Sequence, residues 1–217
     1  VREWFQAGVL GDVKEAQIWT NRPIWPQGFP DWPKEEKLPQ GLNWDLFIGR
    51  APMKPYSSAI HPFKWRGFID YGCGALGDMA CHLMDASYWN LELGSPTSVE
   101  LKEIEAASKV AFPKSAVVEY QFPARKSHDG RSTLPPVKLT LYEGGKKPAK
   151  PAQMEENRQL AKGGQLIIGS KATVYDGNDY CNSPRIVPES LHQKLQPTFP
   201  PKTLPRVPNN EIGRAHV

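Results

Sequence analysis

The 217-residue sequence has few cysteines, no long apolar run and no strong charge of either sign. Its three cysteines, Cys73, Cys81 and Cys181, contain no Cys-x-x-Cys pair, so the sequence indicates neither a disulfide framework nor a structural zinc site. No apolar stretch approaches the roughly 20 residues that a membrane-spanning helix needs. The net charge of +4 comes from scattered lysines and arginines. We therefore predict no membrane partner and no nucleic-acid partner.

The composition, 39% hydrophobic and 23% charged, is typical of a soluble globular domain. A helix is predicted before Gly8, a half-buried strand follows from Val13, and a second helix covers about 74–91. Strands are predicted after this helix, at residues 98–105, 116–122 and 137–142, with two short strands within 165–175. Because consecutive strands without intervening helices favour antiparallel pairing, we predict an α+β fold with an open, mainly antiparallel sheet.

The predicted domain covers residues 1–183, and residues 184–211 form a proline-rich, irregular or extended segment of the same domain. Both ends suggest a piece of a longer protein, because the chain enters at once into the last turns of a helix. Residues 212–217 resemble translated adapter or vector sequence, so Arg214 and His216 are left out of the functional argument.

Residues 21–56 are crowded with proline and tryptophan. Proline removes a backbone donor and fixes φ, so this region is neither a regular helix nor a central strand. We predict a long ordered loop, to which the tryptophans would give an apolar side for packing. Loops of that length in a compact domain are usually functional.

The segment 72–85 places three ionisable groups inside an apolar helical pattern. Asp78, His82 and Asp85 are four and then three residues apart, so they share one face of a helix. Burying such groups without partners costs several kcal/mol, and we therefore expect the face to line a cleft. The neighbours predicted to be core are Leu76, Met79, Leu83, Ala86 and Trp89.

His82 is the candidate catalytic base. Oxidation of a secondary alcohol by hydride transfer requires a group that accepts the hydroxyl proton, and imidazole suits this task near neutral pH. Asp78, one turn earlier, would hydrogen-bond the ring or the substrate, whereas Asp85 is interpreted as structural. The competing interpretation of His82 is a satisfied core histidine. Metal binding is disfavoured, because Cys81 and His82 point to different sides of the helix.

Five residues near this helix and in the loop are candidates for substrate binding: Arg66, Trp65, Arg22, Trp25 and Tyr71. Arginine donates hydrogen bonds in a fixed fork, and tryptophan offers a flat apolar face to a pyranose ring. The alternative is that the tryptophans pack the loop and that the arginines pair with Asp31, Asp45 or Asp70.

Four motifs resemble the C-terminal domain of the Gfo/Idh/MocA oxidoreductases, the family of glucose-fructose oxidoreductase and inositol dehydrogenase. They are Trp4-Phe5-x-x-Gly8-x-x-Gly11-Asp12-Val13, then residues 19–28 (WTNRPIWPQG), residues 43–49 (NWDLFIG) and residues 61–67 (HPFKWRG). Together they cover roughly the first hundred residues, a length that is hard to match by chance. The second half resembles the family only in its strand pattern.

This resemblance implies a fold like the C-terminal domain of glyceraldehyde-3-phosphate dehydrogenase and a preceding Rossmann domain that binds most of an NAD or NADP cofactor. That domain is absent here, since no Gly-x-Gly-x-x-Gly follows a strand and opens a helix. The family's Asp-x-x-x-His pair matches Asp78 and His82, and its catalytic lysine would lie in the missing half. The piece alone is therefore expected to be inactive.

Three functions remain open at this stage. The first is the substrate-binding, catalytic domain of an NAD(P)-dependent dehydrogenase that acts on a sugar, cyclitol or sugar derivative. The second is an NAD-dependent glycosidase of the same family, and the third is a non-catalytic carbohydrate-binding module. The resemblance also implies a homo-oligomer formed through the open sheet. It implies a cytoplasmic location, or a periplasmic one if a twin-arginine signal precedes Val1.

Overall fold

The computed structural model describes residues 1–205, so the interpretation of residues 212–217 lies outside the described residues. Nine strands occur in this range: β1 (Val13–Trp19), β2 (Ser98–Glu105), β3 (Ser115–Phe122), β4 (Arg125–Lys126), β5 (Thr133–Leu134), β6 (Val137–Tyr142), β7 (Gly164–Gly169), β8 (Thr173–Asp176) and β9 (Arg185–Val187). The described helices are α1 (Arg2–Gln6), α2 (Trp44–Ile48), α3 (Gly74–Leu91) and α4 (Glu189–Leu195). Short 3-10 turns occupy Lys64–Gly67 and Gln196–Thr198.

Seven strands form one sheet in the order β2-β3-β6-β1-β7-β8-β9, and β4 pairs with β5 alone. The central pair, β1 and β6, is parallel, whereas the other neighbours in the large sheet are antiparallel. The predicted α+β class with an open, mainly antiparallel sheet is confirmed.

The two faces of the sheet differ in chemistry, because successive side chains of a strand alternate between them. One face carries a row of apolar residues across five strands: Tyr120, Leu139, Ala16, Ile167 and Val174. Helices α1, α3 and α4 pack on this face and close the main core. The next row, on the opposite face, begins with Glu119, Thr140 and Gln17, so its centre is polar.

The long loop forms a lobe, defined here as residues 21–72, with a core of its own. Trp44, Ile48, Tyr56, Ile60 and Phe68 are buried together. The indole nitrogen of Trp44 donates to the carbonyl of Lys54 over 2.8 Å. Aromatic packing therefore replaces regular secondary structure in most of this lobe, as the sequence predicts.

The lobe is tied to the segment that precedes β3. Phe68 forms an isolated antiparallel bridge with Ala111, and the amide of Phe112 donates to the carbonyl of Gly67 over 2.9 Å. The amide of Gly28 donates in turn to the carbonyl of Phe112 over 2.8 Å. These backbone bonds place the end of the lobe beside the start of α3.

The proline-rich tail is more regular than the sequence indicates, and the expectation of irregular chain is wrong for residues 185–198. Strand β9 extends the sheet beside β8, and helix α4 follows it directly. The His192 imidazole, which is buried, accepts a hydrogen bond from the amide of Ile186 over 3.0 Å. Pro188 stands at the N-cap of α4, where proline does not interrupt a helix.

Candidate functional site

The candidate site lies on the first half of α3, which carries the acid and histidine residues singled out by their spacing. Asp78 is half-buried, whereas His82 and Asp85 are exposed. Within residues 1–205 this face is therefore open to solvent at His82 and Asp85, and that it lines a cleft stays a prediction. Met79 and Leu83 are buried in the core as predicted. Trp89 is 51% exposed, so its predicted place in the core is wrong.

Arg66 joins the lobe to this face of α3. Its Nε lies 3.5 Å from Oδ1 of Asp78. The alternative prediction from the sequence pairs the arginines with Asp31, Asp45 or Asp70, and Asp78 is none of these. The chain instead turns back at residues 67–73 and brings Arg66 against the following helix.

Aromatic rings and a backbone carbonyl hold the guanidinium of Arg66 in place. Its Cζ lies 4.5 Å from the ring centre of Phe63, 4.6 Å from that of Trp65 and 6.0 Å from that of Trp25. Nη1 donates to the carbonyl of Phe63 over 3.1 Å. A cation bounded by aromatic faces keeps its charge while losing freedom. Arg66 is therefore a preordered donor beside Asp78.

Gln27 connects three segments beneath this arginine, and it is a residue that the sequence analysis missed. Its Oε1 accepts hydrogen bonds from the indole of Trp25 and from the amide of Ala75, both over 2.9 Å. Its Nε2 donates to the carbonyl of Pro113 over 2.6 Å. A glutamine within a loop gives no sequence signal of such a role, because its partners are 2, 48 and 86 residues away.

The glycine-rich stretch before the site has the spacing Gly-x-Gly-x-x-Gly over residues 72–77 and opens α3. A dinucleotide-binding turn uses such glycines to admit a pyrophosphate to the helix N-terminus. Here a Cβ at Gly72 would collide with the backbone of Arg66, and one at Gly74 with the ring of Phe112. The amide of Ala75 is already taken by Gln27. These residues serve close packing, and they do not fit a pyrophosphate.

A comparison with models of protein families bears on the family of this chain. Residues 24–131, about half of the chain, match the model described as the oxidoreductase family, C-terminal alpha/beta domain. The chain belongs to the Gfo/Idh/MocA oxidoreductase family. The matched range includes residues 24–72 of the lobe, and with them Arg66, and the whole of α3.

Two solved structures are similar to this family member at low identity. WlbA dehydrogenase from Bordetella pertussis, crystallised with NADH and UDP-GlcNAcA, is 14% identical with a TM-score of 0.43; the match covers 86% of this chain and 40% of that one. An oxidoreductase from Thermotoga maritima is 13% identical with a TM-score of 0.36, covering 91% and 46%. The chain thus spans less than half of either protein. No curated protein matches it.

The remaining predicted substrate residues of this oxidoreductase domain are dispersed. Trp25 is buried to 4% exposure, so it offers no free face to a sugar and instead backs Arg66. Arg22 contacts Gly144 and Thr20 through its backbone, and none of its described hydrogen bonds or ion pairs reaches α3. Trp65 and Tyr71 line a separate cavity in the lobe.

His82 has an aromatic neighbour that the sequence analysis did not identify. The rings of His82 and Tyr180 meet edge to face, with centroids 5.3 Å apart. Tyr180 follows β8 and is half exposed, so it orients the imidazole while leaving it accessible. No hydrogen bond between His82 and Asp78 is found among the described residues, and Asp78 faces Arg66 instead.

Glu143 is an unexpected acid close to the start of α3. It is 2% exposed and lines a cavity of about 110 Å³ with Gly74, Ala75 and Leu76. Its Oε2 has no hydrogen-bond partner among the described residues. Burial raises the pKa of Glu143 to about 7, because the charged carboxylate loses its hydration.

Within residues 1–205 no three or more His, Cys, Asp or Glu side chains are grouped so as to hold a metal ion. The helices within the same residues are too short or too polar to cross a membrane.

Proposed function

We propose that this domain binds the substrate and accepts the alcohol proton in an NAD(P)-dependent oxidoreductase that acts on a sugar, cyclitol or sugar derivative. The observation that carries the proposal is the convergence of Arg66, Asp78 and His82 on one open face of α3 in an oxidoreductase-family domain. The face is exposed, which suits a site that a second domain completes.

In the proposed oxidation a secondary alcohol loses a hydride from its carbon and a proton from its hydroxyl group. The hydroxyl proton would go to a ring nitrogen of His82 and a carbonyl would remain on the sugar, while a bound nicotinamide would supply the acceptor for the hydride. Tyr180, edge-on to the imidazole, limits how His82 can turn. His82 therefore supplies the base in this proposal, and it is the one histidine of α3.

Arg66 and Asp78 are proposed to bind the substrate rather than to tune the base. The guanidinium has donors beyond those that face Asp78 and Phe63, and such donors fit the hydroxyl oxygens of a sugar. Asp78 keeps Arg66 aimed at the open face. Loss of Asp78 should thus weaken substrate binding more than it slows the proton transfer.

A nicotinamide cofactor supplies the hydride acceptor when bound. The packed glycines at the start of α3 leave no cradle for its pyrophosphate there, and we propose that NAD or NADP is held mainly by a separate dinucleotide-binding domain.

The test is reduction of NAD and NADP by the full-length protein with a panel of free sugars, cyclitols and aryl glycosides. Wild type should accumulate reduced cofactor, and His82→Ala should lose about 10²–10⁴-fold in rate. The matched control is His128→Ala, which removes an exposed imidazole from the turn between β4 and β5. That variant should keep the wild-type rate.

Other outcomes would replace the proposal. Release of an aglycone without net cofactor reduction would indicate an NAD-dependent glycosidase. Saccharide binding without any turnover, unaffected by His82→Ala, would indicate a non-catalytic carbohydrate-binding module.

A further inference from the structure

The lobe contains a cavity with walls of its own, and Arg66, Asp78 and His82 are not among its lining residues. Its volume is about 360 Å³, within the range of small-molecule pockets. The lining residues, which define the lobe cavity here, are Phe47, Ile48, Ala51, Trp65, Asp70 and Tyr71. Three aromatic side chains and one carboxylate thus share a space large enough for a six-membered ring.

The aromatic walls are fixed before any ligand arrives. Phe47 stacks on Trp44 with ring centroids 5.2 Å apart and packs edge-on against His61 at 4.9 Å. The hydroxyl of Tyr71 donates to the carbonyl of Pro52 over 2.9 Å. Burial and the nearby charge of Asp70 raise the pKa of Tyr71 to about 12, so this hydrogen bond persists at physiological pH.

Asp70 supplies the polar group at the rim of the lobe cavity. Its carboxylate is 37% exposed and lies 3.7 Å from the ammonium group of Lys54. A half-exposed ion pair of this kind is weak, so the carboxylate oxygens remain able to accept hydroxyl hydrogens. Flat apolar walls with acceptors at the edge match the faces and rim of a pyranose ring.

Trp65 places the lobe cavity next to the candidate reacting face. The same indole that lines the cavity contacts the guanidinium of Arg66 at 4.6 Å, and Arg66 contacts Asp78 at 3.5 Å. One tryptophan and one arginine therefore separate the two regions. A substrate that occupies both must extend past Trp65 and Arg66.

We propose that the lobe cavity binds a second pyranose, so that the substrate is a disaccharide or longer glycan rather than a monosaccharide. This inference deepens the proposed function and rests on it for the identity of the reacting ring. The lobe cavity holds the ring that does not react, by stacking on Trp65 and Phe47 and by hydrogen bonds to Asp70.

Binding to the 217-residue chain tests the proposal without any turnover. The probes are glucose disaccharides of α and β linkage, with methyl glucoside as the one-ring comparison and 4-nitrophenol as the aromatic one. Backbone and indole NMR shifts should move at Phe47, Trp65 and Tyr71 with at least one disaccharide. The affinity for that disaccharide should exceed that for methyl glucoside by about tenfold or more.

Two variants connect the shifts to the cavity. Ala51→Leu adds bulk to the lobe cavity and should weaken disaccharide binding by about tenfold or more. Ala152→Leu, at an exposed alanine outside the lobe, is the matched control and should bind as wild type. Asp70→Asn leaves the packing intact and should weaken binding by about three- to tenfold.

The proposal is overturned if no saccharide moves the lobe resonances, if 4-nitrophenol binds there as well as the disaccharides, or if Ala51→Leu and Asp70→Asn both bind like wild type. Failure of the proposed function looks different: there His82→Ala keeps its turnover, whereas disaccharide binding to the lobe and its loss in Ala51→Leu still hold.

Discussion

The large sheet with helices α1, α3 and α4, called the body here, and the lobe are stabilised in different ways. In the body, the rows of Ala16, Leu139 and Ile167 across the sheet close against helices, and backbone ladders satisfy the polar groups. In the lobe, indole and phenol groups donate to backbone carbonyls, as Trp44 and Tyr71 do. The lobe trades regular structure for fixed aromatic surfaces, and the candidate site lies where the two regions meet.

The largest effect should come from removing the centre of the lobe core. Trp44 is buried against Phe47 and Tyr56, so Trp44→Ala should destabilise the lobe by about 3–5 kcal/mol. Hydrogen exchange should accelerate within residues 44–60 while β1 and β6 stay protected. The control, Trp89→Ala, removes a half-exposed ring and should cost far less. Equal acceleration in the lobe and the sheet would show that the two regions unfold as one.

The second prediction concerns the pH dependence of the free energy of unfolding, to which Glu143 in the body contributes. Because the pKa of Glu143 is raised from 4.5 to about 7 in the folded chain, the folded state holds the proton more tightly than the unfolded state does. The contribution of this group is flat below about pH 4.5, falls as the pH rises towards 7, and is flat again above it.

Denaturant unfolding measures this slope. The free energy of unfolding of wild type should fall by up to about 3 kcal/mol between pH 5 and pH 8 relative to Glu143→Gln. Glu119→Gln, on the open face of the sheet, should keep the wild-type slope. Parallel curves for wild type and Glu143→Gln would contradict the burial of a titrating acid under α3.

Loss of the link between the two regions should have an intermediate effect. Gln27→Ala leaves the indole of Trp25 and the amide of Ala75 without their shared acceptor, and should cost about 1–3 kcal/mol. The matched change, Gln121→Ala, removes a hydrogen bond to Glu119 on the half-exposed face and should cost less. Thermal unfolding of both variants decides the point, and an equal loss would argue against the link.

The smallest effect on stability should come from the ion pair at the junction. Arg66 and Asp78 are 29% and 32% exposed, so a double-mutant cycle with Arg66→Gln and Asp78→Asn should give a coupling of about 0.2–1 kcal/mol. A coupling in this range would agree with the role in substrate binding proposed for the pair. A coupling of several kcal/mol would mean that the pair is instead a structural clamp.

Sequence periodicity predicts the body well. The ranges of α3, β2 and β6 agree with the expected ones within a residue or two, because apolar spacing reports directly on which face is buried. Periodicity predicts the burial of individual residues less well than it predicts the elements themselves. Trp89 is half exposed and contacts the guanidinium of Arg2, although Asn90 and Leu91 beside it are buried, and every residue of β2 is exposed although the strand itself was predicted.

The candidate site was only partly predictable. The helical spacing of Asp78 and His82 follows from the sequence, but the contacts of Arg66, Gln27 and Tyr180 depend on how the lobe and the chain after β8 fold back on α3. Glu143 carries no local signal at all. Its burial is a property of the strand end and the helix that covers it.

Chemical rescue of His82 tests the central claim, that the open face of α3 supplies the catalytic base. In the full-length protein, His82→Ala should lose about 10²–10⁴-fold in turnover, and added imidazole should restore part of the rate. His128→Ala should be unaffected with or without imidazole. A His82→Ala protein that turns over at about the wild-type rate, or one whose residual rate does not respond to imidazole, would contradict the account.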